Sequence, residues 1–424
     1  TYRLWDFDFE AKWTMPLIAG YAILQWQDPA AVVAAFAGGN GTQATPYLIS
    51  NAYQLNNIGY TATRVNKYYR LTANIDLGGK LLAQIGTDSV PFTGNFDGAG
   101  YKISNAVVNW DYGALNYIGA FGYVYGGTVK NVVFENLAVS SSGDYVGGAV
   151  GALTGSGVIS QVGVSGTSSV SGRDYVGGFI GNVNSGTIEK SYTVANVSGR
   201  SNIGGFAGYL RNGHVSVTFG VSDTYARGSV TASGDYAGGY AGYYMSDSNT
   251  SWITRSYASG VVTSAGVNAF GFMAYLQDGN NASTITDNLF DSTTTGKTDG
   301  YAGGRTTTQM QQQGTFATYS YDFATVWGMP GAGGYPVFQW QDASYVPASV
   351  FAGGSGTQND PYLVTTSAQY NRIGQVAAHM NKYFKLTGNI DFGGATVGMI
   401  GDDGEPYTGT FDGQGYKIQN AVVK

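Results

Sequence analysis

Six stretches of this chain align on one another: "YIGAFGYV" at Tyr117, "YVGGAVGA" at Tyr145, "YVGGFIGN" at Tyr175, "NIGGFAGY" at Asn202, "YAGGYAGY" at Tyr236 and a degraded "NAFGFMAY" at Asn268. Their spacings are 28, 30, 27, 34 and 32 residues, so a common unit carries loops of variable length. No 3.6-residue apolar period persists over ten or more residues, which argues against a helical repeat. Each unit instead strings short β-rich pieces, such as "YVGGFIG", "GTIEKSY" and "TVANVSG", between Gly, Ser and Asn turns. A unit of this size cannot bury its apolar face alone and must stack on its neighbours. Stacking in register gives an all-β, parallel β-helix, and the general preference of parallel crossovers predicts the right hand.

In such a stack Val146, Val176, Ile203 and Ala237 point inward, and Phe121, Phe179, Phe206 and Phe272 form a second internal column. The glycine pairs Gly147–Gly148, Gly177–Gly178, Gly204–Gly205 and Gly238–Gly239 are expected at sharp corners, in the positive-φ conformation that glycine adopts without steric cost. The residues heading the coils, Tyr117, Tyr145, Tyr175 and Tyr236, would then form a surface ladder suited to stacking on sugars or another protein. The plainer reading is that they pack along the corner and cover the glycines.

A second, longer period encloses the first. "FAGGNGTQATPYLIS" at Phe36 returns as "FAGGSGTQNDPYLVT" at Phe351, an offset of 351 − 36 = 315, and the same offset carries "NKYYRLTANIDLGG" at Asn66 onto "NKYFKLTGNIDFGG" at Asn381. Upstream, "FDFEAKWTMP" recurs as "YDFATVWGMP" at an offset of 314. The domains read as 1–35, the terminal cap and linker of a preceding repeat; 36–310, a β-helix with the short units at 117–310; 311–350, an aromatic cap and linker; and 351–424, the start of the next repeat. The chain begins and ends out of phase with this period and lacks a start methionine, so a mature form or a fragment of a longer array is expected. Helices are expected only in "NAYQLNNIGYTATRV" from Asn51 and "TSAQYNRIGQVAAHM" from Thr366, each opening with a capping pair, Asn51 with Gln54 and Thr366 with Gln369. In the second, Tyr370, Ile373, Ala377 and Met380 share one face. Laid over the first coil, such a helix would shield its open edge. At the other end, Trp13, Trp26, Trp327, Tyr335 and Trp340 gather with Phe351 and Tyr362 as a candidate inter-repeat joint.

The short unit resembles the GLUG repeat of bacterial secreted and surface proteins; "YVGGFIGNVNSGTIEKSYTVANVSG" matches best, with Phe179 where leucine is usual. The flanking "GTQNDPYLVTTSAQYNRI", "YFKLTGNIDF" and "YTGTFDGQGYKI" are similar to the segment that commonly precedes GLUG units in large surface proteins. That resemblance implies an extracellular or cell-surface setting, with adhesins and accessory regions of surface peptidases as its company.

The rest of the sequence narrows function by chemistry. Charged residues make up 11% of the chain and the net charge is −6, which leaves no basic stripe for nucleic acid. There is no cysteine, and the apolar runs, such as 30–37, are too short to cross a bilayer. The two histidines, His214 and His379, lie far apart, so no metal or cofactor site is expected, and His379 reads as structural. "GGNGTQ" and "GGSGTQ" read as tight turns. Asp76 and Asp97, repeated as Asp391 and Asp412, are turn formers rather than a glycosidase pair, and Asp402, Asp403 and Glu405 read as solvated. No catalytic residue is assigned. The expected function is a non-catalytic structural repeat of a large extracellular protein, an adhesin stalk or secreted filament, whose partners are neighbouring copies head to tail and further candidates are host or matrix glycans or proteins. A polysaccharide lyase or hydrolase and a carbohydrate-binding module are the alternatives.

Overall fold

Valine- and isoleucine-rich segments of two to eight residues, punctuated by glycine, give four short strands per coil, and each strand pairs in parallel with its counterpart one coil away. In a central coil these are Asp174–Gly177, Ile180–Val183, Gly186–Thr193 and Asn196–Gly199. The computed structural model describes residues 13–14, 23–24, 35–59, 62–109, 116–212, 219–246, 251–278, 284–330, 334–341, 351–374, 379–401 and 406–423. The chain is nearly all β, with 9% helix, and forms a parallel β-solenoid of about ten turns. Residues up to Arg305 make one compact unit and those from Thr306 another.

In the first unit the coils build a thirteen-stranded sheet, two six-stranded sheets and one five-stranded sheet. The register repeats position by position. Val146 pairs with Val176, Val176 with Ile203 and Ile203 with Ala237, all fully buried as expected. Ile159, Ile188, Val221 and Ile253 form a second aliphatic column, and Val139, Val170, Val197, Val230 and Val262 a third. Each fully buried aliphatic or Phe side chain contributes roughly 1.5–3 kcal/mol of transfer free energy, so every added coil extends one continuous core.

The internal aromatic column differs from expectation at one end. Phe179, Phe206, Tyr240 and Phe272 stack nearly parallel, with centroids 4.7, 5.0 and 4.5 Å apart. Phe121 is not among them. The coil headed by Tyr117 is one residue shorter before its second strand, so Phe121 aligns with Val150 and packs edge-on against Phe92 and Phe96.

The glycine pairs also do a different job from the one expected. None of the eight has a positive φ. A Cβ on Gly147, Gly177, Gly204 or Gly238 would sit 2.0–2.1 Å from a backbone carbonyl oxygen of its own bend, and one on Gly148, Gly178, Gly205 or Gly239 would sit 2.1–2.4 Å from a carbonyl oxygen of the next coil. Glycine is needed for close backbone approach, not for its left-handed conformation. The left-handed positions fall elsewhere. Asn131, Gln161, Lys190, Asp223 and Arg255, with φ between 49° and 56°, bend each eight-residue strand of the long sheet halfway along.

Both expected helices are shorter than the apolar pattern suggested. The first spans Ala52–Asn56 and the second Ser367–Ile373, so Met380 lies beyond the helix and Ala377 outside the described residues. Asn51 caps the first through the Gln54 N–H, and Thr366 with Gln369 forms a complete capping box. Leu55 and Ile58 enter the first core. Three further helices, Ser292–Thr295, Thr307–Met310 and Gln313–Ala317, were not anticipated; at one turn each they carry no readable period.

The large repeat is repeated in structure. Tyr362–Val364, Tyr383–Leu386 and Thr410–Asp412 in the second unit form a parallel sheet that matches Tyr47–Ile49, Tyr68–Leu71 and Asn95–Asp97 in the first. Likewise the antiparallel pair Trp327–Gly328 with Val337–Phe338 matches Trp13–Thr14 with Ile23–Leu24.

Candidate functional site

The tyrosine ladder starts from a hydrogen-bond ladder beneath it. The residue before each coil head accepts the backbone N–H of its counterpart in the next coil: Asn116 Oδ1 from Asp144 at 3.1 Å, Asp144 Oδ1 from Asp174 at 3.2 Å, Asp174 Oδ1 from Ser201 at 3.1 Å, and Ser201 Oγ from Asp235 at 3.3 Å. Arg173 and Arg200 add bidentate contacts to Asp144 and Asp174. The Arg173 hydrogen bond holds the Asp144 carboxyl below its ordinary range.

On this rail each head residue turns left-handed, with φ of 65° at Tyr117, 59° at Tyr145, 56° at Tyr175, 60° at Asn202 and 63° at Tyr236. For an L-residue other than Gly, Asn or Asp that conformation costs on the order of 1–2 kcal/mol. Stacking returns part of it, at about 0.5–1.5 kcal/mol per aromatic pair. Tyr117, Tyr145 and Tyr175 stack with centroids 5.1 and 4.9 Å apart and planes 15° and 10° from parallel. Burial, then the neighbouring phenols Tyr175, Tyr117 and Tyr209, push the Tyr145 hydroxyl up to about 12.

Three of the four expected ladder residues are thus brought together. Asn202 interrupts the column before Tyr236, which instead meets Tyr275 edge-on at 5.6 Å. A second column seven residues on was missed by sequence reasoning, although the final tyrosine of "NIGGFAGY", "YAGGYAGY" and "NAFGFMAY" signals it. Tyr209 lies 5.3 Å from Tyr175 and 5.2 Å from Tyr243, and Tyr243 stacks on Tyr275 at 4.7 Å. The corner backbone closes tightly on a further set of glycines: a Cβ on Gly151, Gly181 or Gly208 would lie 2.2–2.3 Å from the backbone of Tyr117, Tyr145 or Tyr175. Tyr145 has a stacked ring on each face, so a sugar ring cannot lie flat on it.

The acids weighed as catalytic candidates are engaged in turns. Asp76 accepts from the Gly78 N–H and Asn105, and Asp97 from the Ala99 N–H and Asn131, with Arg70 and Lys130 each 3.9 Å away. Asp391 and Asp412 repeat the arrangement with the N–H groups of Gly393 and Gln414. In "GGNGTQ" the backbone closes on Thr45, with Gly39 and Gly41 at positive φ, which is a tight turn. Among the described residues no group of three His, Cys, Asp or Glu side chains is placed to hold a metal, and no helix is long and apolar enough to cross a membrane. His214, Asp402, Asp403 and Glu405 lie outside the described residues.

Five of the expected joint residues, Trp327, Tyr335, Trp340, Phe351 and Tyr362, lie in the second unit. Trp327, fully buried, packs on Phe338 at 4.3 Å, and Trp340 stacks on Phe338 with centroids 6.0 Å apart. Tyr335 is half-buried nearby in sequence. Phe351 and Tyr362 stack at 4.7 Å beside Phe384 and His379. Trp26 and the connectors before Phe36 and Phe351 lie outside the described residues, as does the side chain of Trp13.

His379 is 1% exposed and its Nδ1 donates to the Arg372 carbonyl at 3.1 Å; burial, outweighing that bond, lowers its pKa to about 4. The folded unit therefore refuses a proton that the unfolded chain takes up below about pH 6.5. Stability linked to His379 is intact above that pH and is lost as the pH falls towards 4. His379→Phe is expected to flatten this loss, read as the difference in urea midpoint between variant and parent at pH 7 and at about pH 4.5. Equal shifts in both proteins would contradict the assignment.

No family model matches the chain. A protein of Evansella cellulosilytica provisionally named a Gly-rich membrane protein is 41% identical over 142 residues, which is 30% of this chain and 15% of that protein. Halomucin of Haloquadratum walsbyi is 34% identical over 183 residues, 40% of this chain and 2% of halomucin. The chain thus spans only a small part of the curated relatives it matches. Among solved structures, a chain from Bacteroides ovatus provisionally described as an immunoglobulin A1 protease superposes with a TM-score of 0.53 at 22% identity, covering 73% of this chain and 96% of that one. At that identity the likeness shows the fold alone.

Proposed function

We propose that this chain is a non-catalytic structural repeat of a large surface or secreted protein, built as a stiff stalk or filament of GLUG-like solenoids joined head to tail. The observation that carries the reading is the restart of the solenoid: the strands and cap of one copy recur in the next at offsets of 315 and 314 residues. Identical modules joined through one kind of interface give an open, heterologous assembly that lengthens with each copy. The relatives named for a membrane protein and a mucin, each far longer than the matched segment, support a setting at the cell surface. An enzyme would need a cleft with free carboxylates, whereas Asp76, Asp97, Asp391 and Asp412 are all spent on turns.

Small-angle scattering of the whole chain tests the stalk. The reading expects an elongated, rigid profile, and expects Trp340→Ala to keep the circular-dichroism spectrum while making the profile flexible, because truncating a large packed aromatic costs about 3–5 kcal/mol. An unchanged profile in the variant would restrict Trp340 to the core of its own cap. A compact profile in the parent would sink the stalk.

A further inference from the structure

We propose that the Tyr117–Tyr145–Tyr175 stack is a site of oxidative cross-linking, at which a peroxide-driven one-electron oxidant joins successive coils through dityrosine bonds. The inference rests on the ladder's geometry and stands whether or not the chain serves as a stalk. Three observations carry it. The rings stack in a row, with centroids 5.1 and 4.9 Å apart and planes within 15° of parallel, so neighbouring phenols are held next to one another. All three tyrosines are half-buried, so part of each residue remains open to solvent and to a diffusible oxidant. And the chain places tyrosine in a left-handed conformation at corners where its own Asn202 shows that a small residue suited to that conformation serves. With no cysteine in the sequence, a disulfide cannot tie one coil to the next, and phenol coupling can.

The chemistry balances without further partners. Each phenol gives up one electron to the oxidant and one proton to water, leaving a phenoxyl radical with spin on its ortho carbons. Two neighbouring radicals form one carbon–carbon bond, and each ortho hydrogen then shifts to its oxygen to restore the ring. Two tyrosines and one hydrogen peroxide yield one dityrosine and two waters. Contact between adjacent rings lets a radical formed at any rung migrate to meet a second.

The molecule supplies its own control. Tyr192, Tyr225 and Tyr257 stack with nearly the same geometry, 5.0 and 5.1 Å apart, but are at most 5% exposed. Trypsin separates the two cases, since Tyr145 is the sole tyrosine of peptide 131–173, Tyr175 of 174–190, Tyr192 of 191–200 and Tyr225 of 212–227.

The experiment treats the folded chain with hydrogen peroxide and a haem peroxidase, then digests it and sequences the cross-linked peptides by mass spectrometry. The expected product joins 131–173 to 174–190 and is two hydrogens lighter than their sum, in a yield that does not change on tenfold dilution of the protein. Tyr175→Asn keeps a residue suited to the corner and should abolish that product while leaving the one between Tyr117 and Tyr145. The proposal is overturned if the parent gives no 131–173 to 174–190 product, if 191–200 couples to 212–227 as readily, or if the yield falls with dilution, which would place the bond between molecules.

Discussion

Gly177→Ala should be among the most damaging single substitutions in the chain, costing at least about 4 kcal/mol and uncoupling the coils on either side. The added methyl would stand 2.1 Å from the Ile180 carbonyl oxygen, 2.7 Å from the Gly208 nitrogen and 2.7 Å from the Phe206 carbonyl oxygen; the first two are backbone atoms of paired strands and the third accepts the Phe179 and Ile180 N–H groups, so none can step aside. Gly126→Ala is the matched comparison. Gly126 has φ +65° with nothing within 4 Å of an added Cβ, so alanine there meets only the left-handed penalty of about 1–2 kcal/mol. Urea unfolding followed by circular dichroism separates the two explanations of glycine in this fold. Equal losses at the two positions would refute close approach as the reason for the glycine pairs.

The second large effect is expected inside the solenoid. Phe206 is fully buried between Phe179 at 4.7 Å and Tyr240 at 5.0 Å, with planes within 8° of parallel. Phe206→Ala removes two ring contacts and opens a cavity where the coils above and below hold their spacing through hydrogen bonds, so relaxation is limited. A loss of about 3–5 kcal/mol follows. Phe206→Leu, which refills most of the volume, should recover more than half of it, and a urea midpoint for Phe206→Ala close to that of the parent would contradict the column as a source of stability.

These two positions also show what the sequence could disclose. Stacking of Val146, Val176, Ile203 and Ala237, and of Phe179, Phe206 and Phe272, was legible because identical steps along a repeat must occupy identical places in a stack. Tyr240 entered the same column because "YAGGYAGY" carries it at the phenylalanine position. Phe121 did not, since one missing residue in "YIGAFGYV" shifts the alignment by a step that only the sheet register shows. The reason for the glycines was hidden for a different cause. Local preference associates glycine with positive φ, whereas the atom that excludes a side chain at Gly178 belongs to Gly205, 27 residues away. Conversely, tyrosine is a poor candidate for a left-handed corner until the Asn116–Asp144–Asp174 rail, a bond from each coil to the next, is seen to support it. The tyrosine ladder was therefore legible only in part: Tyr117, Tyr145 and Tyr175 were named together, whereas the departure of Tyr236, the left-handed conformation and the Tyr209–Tyr243–Tyr275 column were not.

The most direct test of the central account, coils stacked in parallel and in register, uses the absence of native cysteine. Thr231 and Thr263 are exposed register partners on adjacent coils, while Ser264 pairs with Ala232. Thr231→Cys with Thr263→Cys places two thiols on neighbouring parallel strands, within the Cα separation of about 4.4–6.8 Å that a disulfide spans. Thr231→Cys with Ser264→Cys offsets them by one residue and points the side chains to opposite faces. Under mild oxidation the first pair is predicted to form an intramolecular disulfide nearly quantitatively and the second almost none; equal yields, or a preference for the offset pair, would contradict the stacked register on which the whole account stands.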